Sequence, residues 1–233
     1  TGRIIASVSY PTFDPNTVSE NWDDIKENEN SPLFDRALQG GYPPGSTFKI
    51  ITALAALENM PDINTFTYEC TGEAEFKDKV IHCYDNTAHG TVDLHSAFAA
   101  SCNCYFSKVA TIIGPEKLIE TALKFGFNED FSKGYEASNP SLSLTSESTE
   151  SELVETSIGQ GKTLASPLYM AMVASAIAND GVMMTPYLVD HVEYSNGKVK
   201  DQTVPKMFKE ISSYNNIKTI QEMMLEVCET GQI

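Results

Sequence analysis

The stretch Gly41-Tyr42-Pro43-Pro44-Gly45-Ser46-Thr47-Phe48-Lys49 and the apolar run behind it constrain this chain more than any other feature. The two prolines and the glycine set an extended turn, because proline locks φ and pushes its predecessor out of the helical region. Ser46 then opens a segment, Thr47 to Met60, whose pattern predicts a helix. Its residues Phe48, Ile50, Ile51, Ala53, Leu54, Ala55, Ala56 and Leu57 cover nearly every face, and a helix apolar all round is a buried one. The first turn nevertheless carries a hydroxyl at Ser46 and, three residues on, an amine at Lys49. Positions i and i+3 share a helix face, so the two groups meet at the mouth of a buried helix. Lysine is rarely placed there without a task.

A serine hydroxyl is a weak nucleophile until a neighbouring base takes its proton. Lysine can be that base only when neutral, and its ordinary pKa of about 10.4 opposes this at neutral pH. Burial and the positive end of a helix dipole both lower it. The backbone N–H groups at the same helix start suit a developing oxyanion. The competing reading is structural: Ser46 caps the helix and Lys49 extends its amine to water. Ser-x-x-Lys by itself does not decide between the two.

Composition narrows the setting. The 233 residues, 41% of them apolar, are enough for a sizeable core. A net charge of −16 argues against nucleic acid and against charge-driven docking on anionic lipid. No 18-residue apolar run is present, so no transmembrane helix is expected. The opening Thr1-Gly2-Arg3 has neither a methionine nor a signal peptide, which suggests a piece of something longer.

The five cysteines are Cys70, Cys83, Cys102, Cys104 and Cys228. Cys70 and Cys83 flank a hairpin-like stretch, and a bridge between them would stabilise by about 3 kcal/mol. Two free thiols are the alternative. His82, His89 and His95 lie near, but no pair of closely spaced Cys-x-x-Cys knuckles appears, so no metal site is expected.

Along the chain, residues 3–9 read as a strand, 14–30 as polar loop and 31–38 as a short helical piece. Asp93 caps a helix over Leu94–Ala100. Helical spacing resumes at Tyr105 and runs to Gly114, Pro115 starts a further helix, and Gly126 closes it. Residues 128–152 read as a long exposed loop. Ser166 and Pro167 open a helix that Gly181 closes. The period then becomes two from Tyr187, with Ser195-Asn196-Gly197 as a hairpin turn, and a last amphipathic helix presents Ile217, Ile220, Met223, Met224 and Val227.

Between two of these helices lies Ser101-Cys102-Asn103, where a second serine could relay a proton and an asparagine could orient an amide. Ser-x-x-Lys after Pro-Pro-Gly, followed by Ser-x-Asn some fifty residues later, resembles the penicillin-binding transpeptidase family. The likeness continues in Gly2–Pro11, in Phe13-Asp14-Pro15-Asn16, in Arg36–Gly40 and in His89–Leu94. Gly159-Gln160-Gly161 with Ser166-Pro167-Leu168, and Ala178-Asn179-Asp180-Gly181, also match. It is closest to the class B, monofunctional transpeptidases.

The resemblance implies a mixed α/β (α+β) fold of the penicillin-binding and β-lactamase type, an antiparallel sheet packed with helices and an all-helical lobe, as one domain over 1–233. It makes Ser46 the acylated nucleophile, Lys49 its base, Ser101 the proton relay and Asn103 a ligand of the substrate amide. The reaction it implies is peptidoglycan D,D-transpeptidation on D-Ala-D-Ala stem peptides, with no cofactor. β-Lactams would acylate Ser46, a glycosyltransferase would be the partner, and the site would face outward from a membrane-anchored parent. A D,D-carboxypeptidase, a β-lactam sensor and an inactive cell-wall scaffold are the rivals.

The family's third motif, Lys-Thr-Gly on an inner strand, is missing. Lys162-Thr163 is followed by Leu164, and Glu229-Thr230-Gly231 resembles the region just before that motif. The expected C-terminal strands would therefore lie beyond Ile233. Through the family, they would supply one oxyanion donor, whose loss costs about a hundred- to a thousandfold in rate. A phosphate-loop reading of Gly159–Thr163 fails, because Thr156 stands where that loop needs glycine.

Overall fold

A computed structural model describes residues 1–132 and 134–230. At its centre the turn Gly45–Phe48 leads without a break into α2, Lys49–Asn59, eight of whose residues are buried. The run is apolar on every side because helices cover it on every side. They are α3 (Leu94–Ala99), α4 (Asn103–Phe125) and α7 (Tyr214–Thr230). Ile217, Ile220 and Met223 form the buried face of α7. Phe48, Phe127 and Tyr169 make edge-to-face ring contacts at 5.5 and 5.1 Å, which fasten the start of the serine helix to α6, Pro167–Ala178.

Local chemistry sets the boundaries. Asp93 and Ser96 form a capping box at α3, and Ser166 caps α6 with Pro167 in its first turn. Helix α4 breaks at Gly114, which has φ 81°, and ends at the left-handed Gly126. Both glycines stand where the sequence placed them.

The strands pair two by two, all antiparallel. β1 (Tyr68–Cys70) joins β4 (Gly90–Val92), and β2 (Glu73–Phe76) joins β3 (Lys79–His82). β5 (Val182–Met184) joins β8 (Met207–Glu210), and β6 (His191–Glu193) joins β7 (Val199–Gln202) around Gly197.

Four expectations need correction. Residues 3–9 are not a strand: only Arg3 bridges, in parallel, to Tyr187, and Ile5 and Val8 are exposed. Extended residues become a strand only when a neighbour takes their hydrogen bonds; Tyr187 does so for Gly2 O and Ile4 N–H, and none of the described residues does so for the backbone of residues 5–9. The polar 14–30 stretch contains a short helix, α1, Trp22–Lys26, whereas 31–38 forms turns held by the Asp35 carboxylate. The 128–152 stretch is not a solvated loop. Phe131, Leu142 and Leu144 are buried, and α5 (Glu150–Ser157) begins at a Thr149–Glu152 capping box. Gly231 to Ile233, including the end of the Glu-Thr-Gly tail, lie outside the described residues.

Candidate active site

Ser46 sits in the 3₁₀ turn ahead of α2, exposed, with Lys49 one turn on and only 2% exposed. The Lys49 amine lies 3.2 Å from Ser46 Oγ, which the i, i+3 spacing anticipates. Three more oxygens surround it: Ser101 O at 2.7 Å, Ser101 Oγ at 2.9 Å and Asn103 Oδ1 at 2.6 Å. The structure thus brings together all four polar residues that the two motifs singled out.

The turn between α3 and α4 accounts for the second half of that cluster. Helix α3 ends in a Schellman motif, with Cys102 N–H bonded to Ala97 O and Ser101 N–H to Phe98 O. Ser101 occupies the left-handed position, φ 51°, that glycine usually takes. This conformation costs a serine about 1–2 kcal/mol, and it turns both the carbonyl and the hydroxyl of Ser101 onto Lys49. Asn103 opens α4. Its Nδ2 donates to His82 O at 2.8 Å and its Oδ1 accepts from Lys49, so the two partners fix the amide's orientation. One Nδ2 hydrogen remains for a ligand.

Burial lowers the Lys49 pKa from 10.5 to about 8, against the opposing pull of the thiol groups of Cys102, Cys83 and Cys104. At pH 7 about one lysine in ten is then neutral, against about one in three thousand for a solvated amine. A neutral amine has two hydrogens and one lone pair. The two shortest contacts, to the Asn103 and Ser101 carbonyl oxygens, account for the hydrogens, leaving the lone pair for the Ser46 hydroxyl.

A cleft of about 680 Å³ opens over these groups, lined by Ser46, Ser101 and Asn103 with His82, Tyr84 and His89 at its side. The Gly159-Gln160-Gly161 loop packs against the turn that carries Ser46. Gly45 N–H bonds Gly159 O at 2.9 Å, and a side chain at Gly159 would overlap the Gly45 backbone.

The spacing pattern missed one cluster entirely. Cys70, Cys83, His89 and Cys102 place their ligating atoms within 4.8 Å of one another, with Cys102 inside the Ser101–Asn103 turn and Cys83 and His89 lining the cleft. The Cys70–Cys83 bridge is not formed: the sulfurs are 3.7 Å apart and all five cysteines are free. No knuckle signal exists because the four residues come from four separate elements.

A serine, an amine and a second serine joined by hydrogen bonds at the mouth of a buried helix define the class of serine acyl-transfer sites built on Ser-x-x-Lys. The family model of the penicillin binding protein transpeptidase domain matches residues 1–232. This chain belongs to that family. It is 32% identical to the peptidoglycan D,D-transpeptidase PbpA of Mycolicibacterium smegmatis, over all of this chain and 50% of that protein. It is 31% identical to the peptidoglycan D,D-transpeptidase MrdA of Acinetobacter baumannii, over 81% of this chain and 30% of that one. The chain thus spans about half or less of the length of these relatives.

Among solved structures, PBPA from Mycobacterium tuberculosis superposes with a TM-score of 0.91 at 28% identity, covering 100% of this chain and 57% of that one. Its penicillin G acyl-enzyme complex gives 0.91 and 28%, over 98% and 55%. The mixed α and β architecture expected from sequence is that of these transpeptidase domains.

Proposed function

We propose that the protein to which this chain belongs is a peptidoglycan D,D-transpeptidase acting through an acyl-enzyme on Ser46. The observation that carries the proposal is the Lys49 amine, buried and within hydrogen-bond reach of both Ser46 and Ser101. Residues 1–233 would form most of one transpeptidase domain.

In the first half-reaction Ser46 Oγ attacks the carbonyl carbon of the penultimate D-alanine and its proton passes to Lys49 Nζ. The N–H of Ser46 supports the oxyanion. The carbon–nitrogen bond then breaks, and the leaving D-alanine amine takes a proton from Lys49 through Ser101 Oγ. In the second, an amine of a neighbouring stem peptide attacks the Ser46 ester, a new amide forms, and Ser46 Oγ recovers a proton along the same relay. Asn103 holds the acyl donor by its free Nδ2 hydrogen. A β-lactam enters as a mimic of the donor, and its ring amide opens onto Ser46.

The D,D-transpeptidase activity of the relatives supports this reading over a carboxypeptidase or a sensor, which differ only in whether water, an amine or nothing resolves the ester. The retained serine–lysine–serine relay speaks against a retired scaffold. No helix among the described residues is long and apolar enough to cross a membrane, and the proposed substrate places the site on the outer face of the cell membrane. A glycosyltransferase partner is supported by similarity to a chain in a structure of a peptidoglycan synthase complex, TM-score 0.83 at 29% identity, covering 99% of this chain and 41% of that one.

The test is intact mass of the full-length protein after benzylpenicillin. One penicilloyl adduct, absent in Ser46→Ala, is expected; a folded protein that takes up none overturns the proposal.

A further inference from the structure

The thiol cluster at the Ser101–Asn103 turn has no role in the chemistry above. Cys70 ends β1, Cys83 follows β3, His89 precedes β4, and Cys102 joins α3 to α4. The three cysteines are buried and His89 is half-buried. Three pieces of chain from the hairpin region therefore converge on the residue that separates Ser101 from Asn103.

Three of the six spacings match the edges of a tetrahedral metal site, and all six are within 4.8 Å. Zinc takes sulfur at about 2.3 Å and imidazole nitrogen at about 2.0–2.1 Å. The edges of such a tetrahedron are then about 3.8 Å between sulfurs and about 3.5 Å between sulfur and nitrogen. Here Cys70 Sγ and Cys83 Sγ are 3.7 Å apart, and Cys83 Sγ and Cys102 Sγ 3.8 Å. Cys70 Sγ lies 3.4 Å from His89 Nδ1. A disulfide would bring one pair to about 2.05 Å and leave the others without a partner.

The surroundings fit thiolates. Tyr105 N–H points at Cys102 Sγ from 3.4 Å, the kind of outer contact that orients a ligating sulfur. A fourth sulfur, Cys104 Sγ, lies 3.5 Å from Cys83 Sγ and donates instead to Ile81 O at 3.8 Å, so it stands outside the ligand set.

We propose that Cys70, Cys83, His89 and Cys102 bind one zinc ion in a closed Cys₃His site that clamps the Ser101–Asn103 turn onto the hairpin region. Three thiolates and an imidazole in a tetrahedron select zinc over the oxygen-seeking divalent ions. Binding displaces three thiol protons to solvent, and the zinc and its ligands carry a net charge of −1. With four protein ligands the ion has no open position, so it holds structure and performs no catalysis. Its mechanical effect on acylation rests on the function proposed above; the metal site itself does not.

Metal analysis of the full-length protein, purified reduced and without chelator, tests the site. One zinc per chain is expected, lost in Cys83→Ser and in His89→Ala and kept in Cys228→Ser, whose cysteine is exposed. Should the ligand variants fail to fold, cobalt(II) exchanged into the unaltered protein gives the same answer through thiolate-to-cobalt charge-transfer bands. A folded protein with reduced thiols and neither zinc nor those bands overturns the proposal, as does a Cys70–Cys83 disulfide in its peptide map. Benzylpenicillin labelling before and after chelator stripping then reads the clamp: a rate at least about tenfold lower in the stripped protein supports it. An unchanged rate removes the clamp and leaves the zinc site standing.

Discussion

Ser101 is held in the left-handed backbone conformation, φ 51°, and in that state its hydroxyl and its carbonyl both reach the Lys49 amine, at 2.9 and 2.7 Å. The strained residue and the buried base are thus one device. Relaxing Ser101 to an ordinary helical or extended conformation would redirect both oxygens at once.

Ser101→Gly separates strain from chemistry. Glycine suits the left-handed position, so the thermal midpoint should stay level or rise, by the equivalent of about 1 kcal/mol. The relay hydroxyl is lost, and the rate of penicillin acylation should fall by about a hundredfold or more. A variant that is both stable and fully active would remove Ser101 from the relay.

The lowered pKa of Lys49 predicts the pH profile. Acylation should rise about tenfold per unit below pH 8 and level off above it, as the amine becomes neutral. The sign for stability follows from the same shift. Between pH 8 and 10.5 the unfolded lysine binds more proton than the folded one, so this group's contribution to stability increases with pH across that window, by at most about 3 kcal/mol. Urea titrations of the parent and Lys49→Met at pH 7 and 9.5 check it; the parent should gain on the variant at the higher pH.

Gly159→Ala should displace the serine turn. Gly159 has φ 69°, and a methyl there would overlap the Gly45 backbone, which cannot retreat without moving Ser46. A loss of about 3 kcal/mol or more is expected, with slowed acylation. Gly197→Ala is the comparison: its φ is 78° but nothing lies within 4 Å, so it should cost only about 1 kcal/mol and leave acylation alone.

Glu58 offers a structural contrast. Its carboxylate takes Lys124 at 2.9 Å, Thr121 at 3.3 Å and Ser212 at 2.6 Å, tying the end of α2 to α4 and to the approach to α7. Glu58→Ala should cost about 2 kcal/mol by chemical denaturation and leave the acylation rate unchanged. A parallel loss of rate would mean that the far end of α2 controls its catalytic start.

The Ser46–Lys49 pair was legible because a single helical turn joins it, and the caps at Asp93, Ser166 and Gly126 because each is a matter of a few neighbouring residues. Short helices such as α1, and α5 behind its polar approach, show too little apolar period to announce themselves. Phe131 and Leu144 were lost in a polar composition, since burial depends on what packs over a loop and not on its average character.

What the sequence determined by itself was local and chemical: a buried helix with a hydroxyl and an amine on one face, the breaks at proline and glycine, and the family. Tertiary structure decided whatever needed groups far apart in the chain to meet. It left residues 3–9 without strand pairing and turned Ser101 onto Lys49. It also gathered Cys70, Cys83, His89 and Cys102 into one cluster. The reason is the range of the interactions: turns and helices are set by neighbours along the backbone, whereas strand pairing, a buried amine's pKa and a metal tetrahedron depend on atoms brought together only by the packed fold.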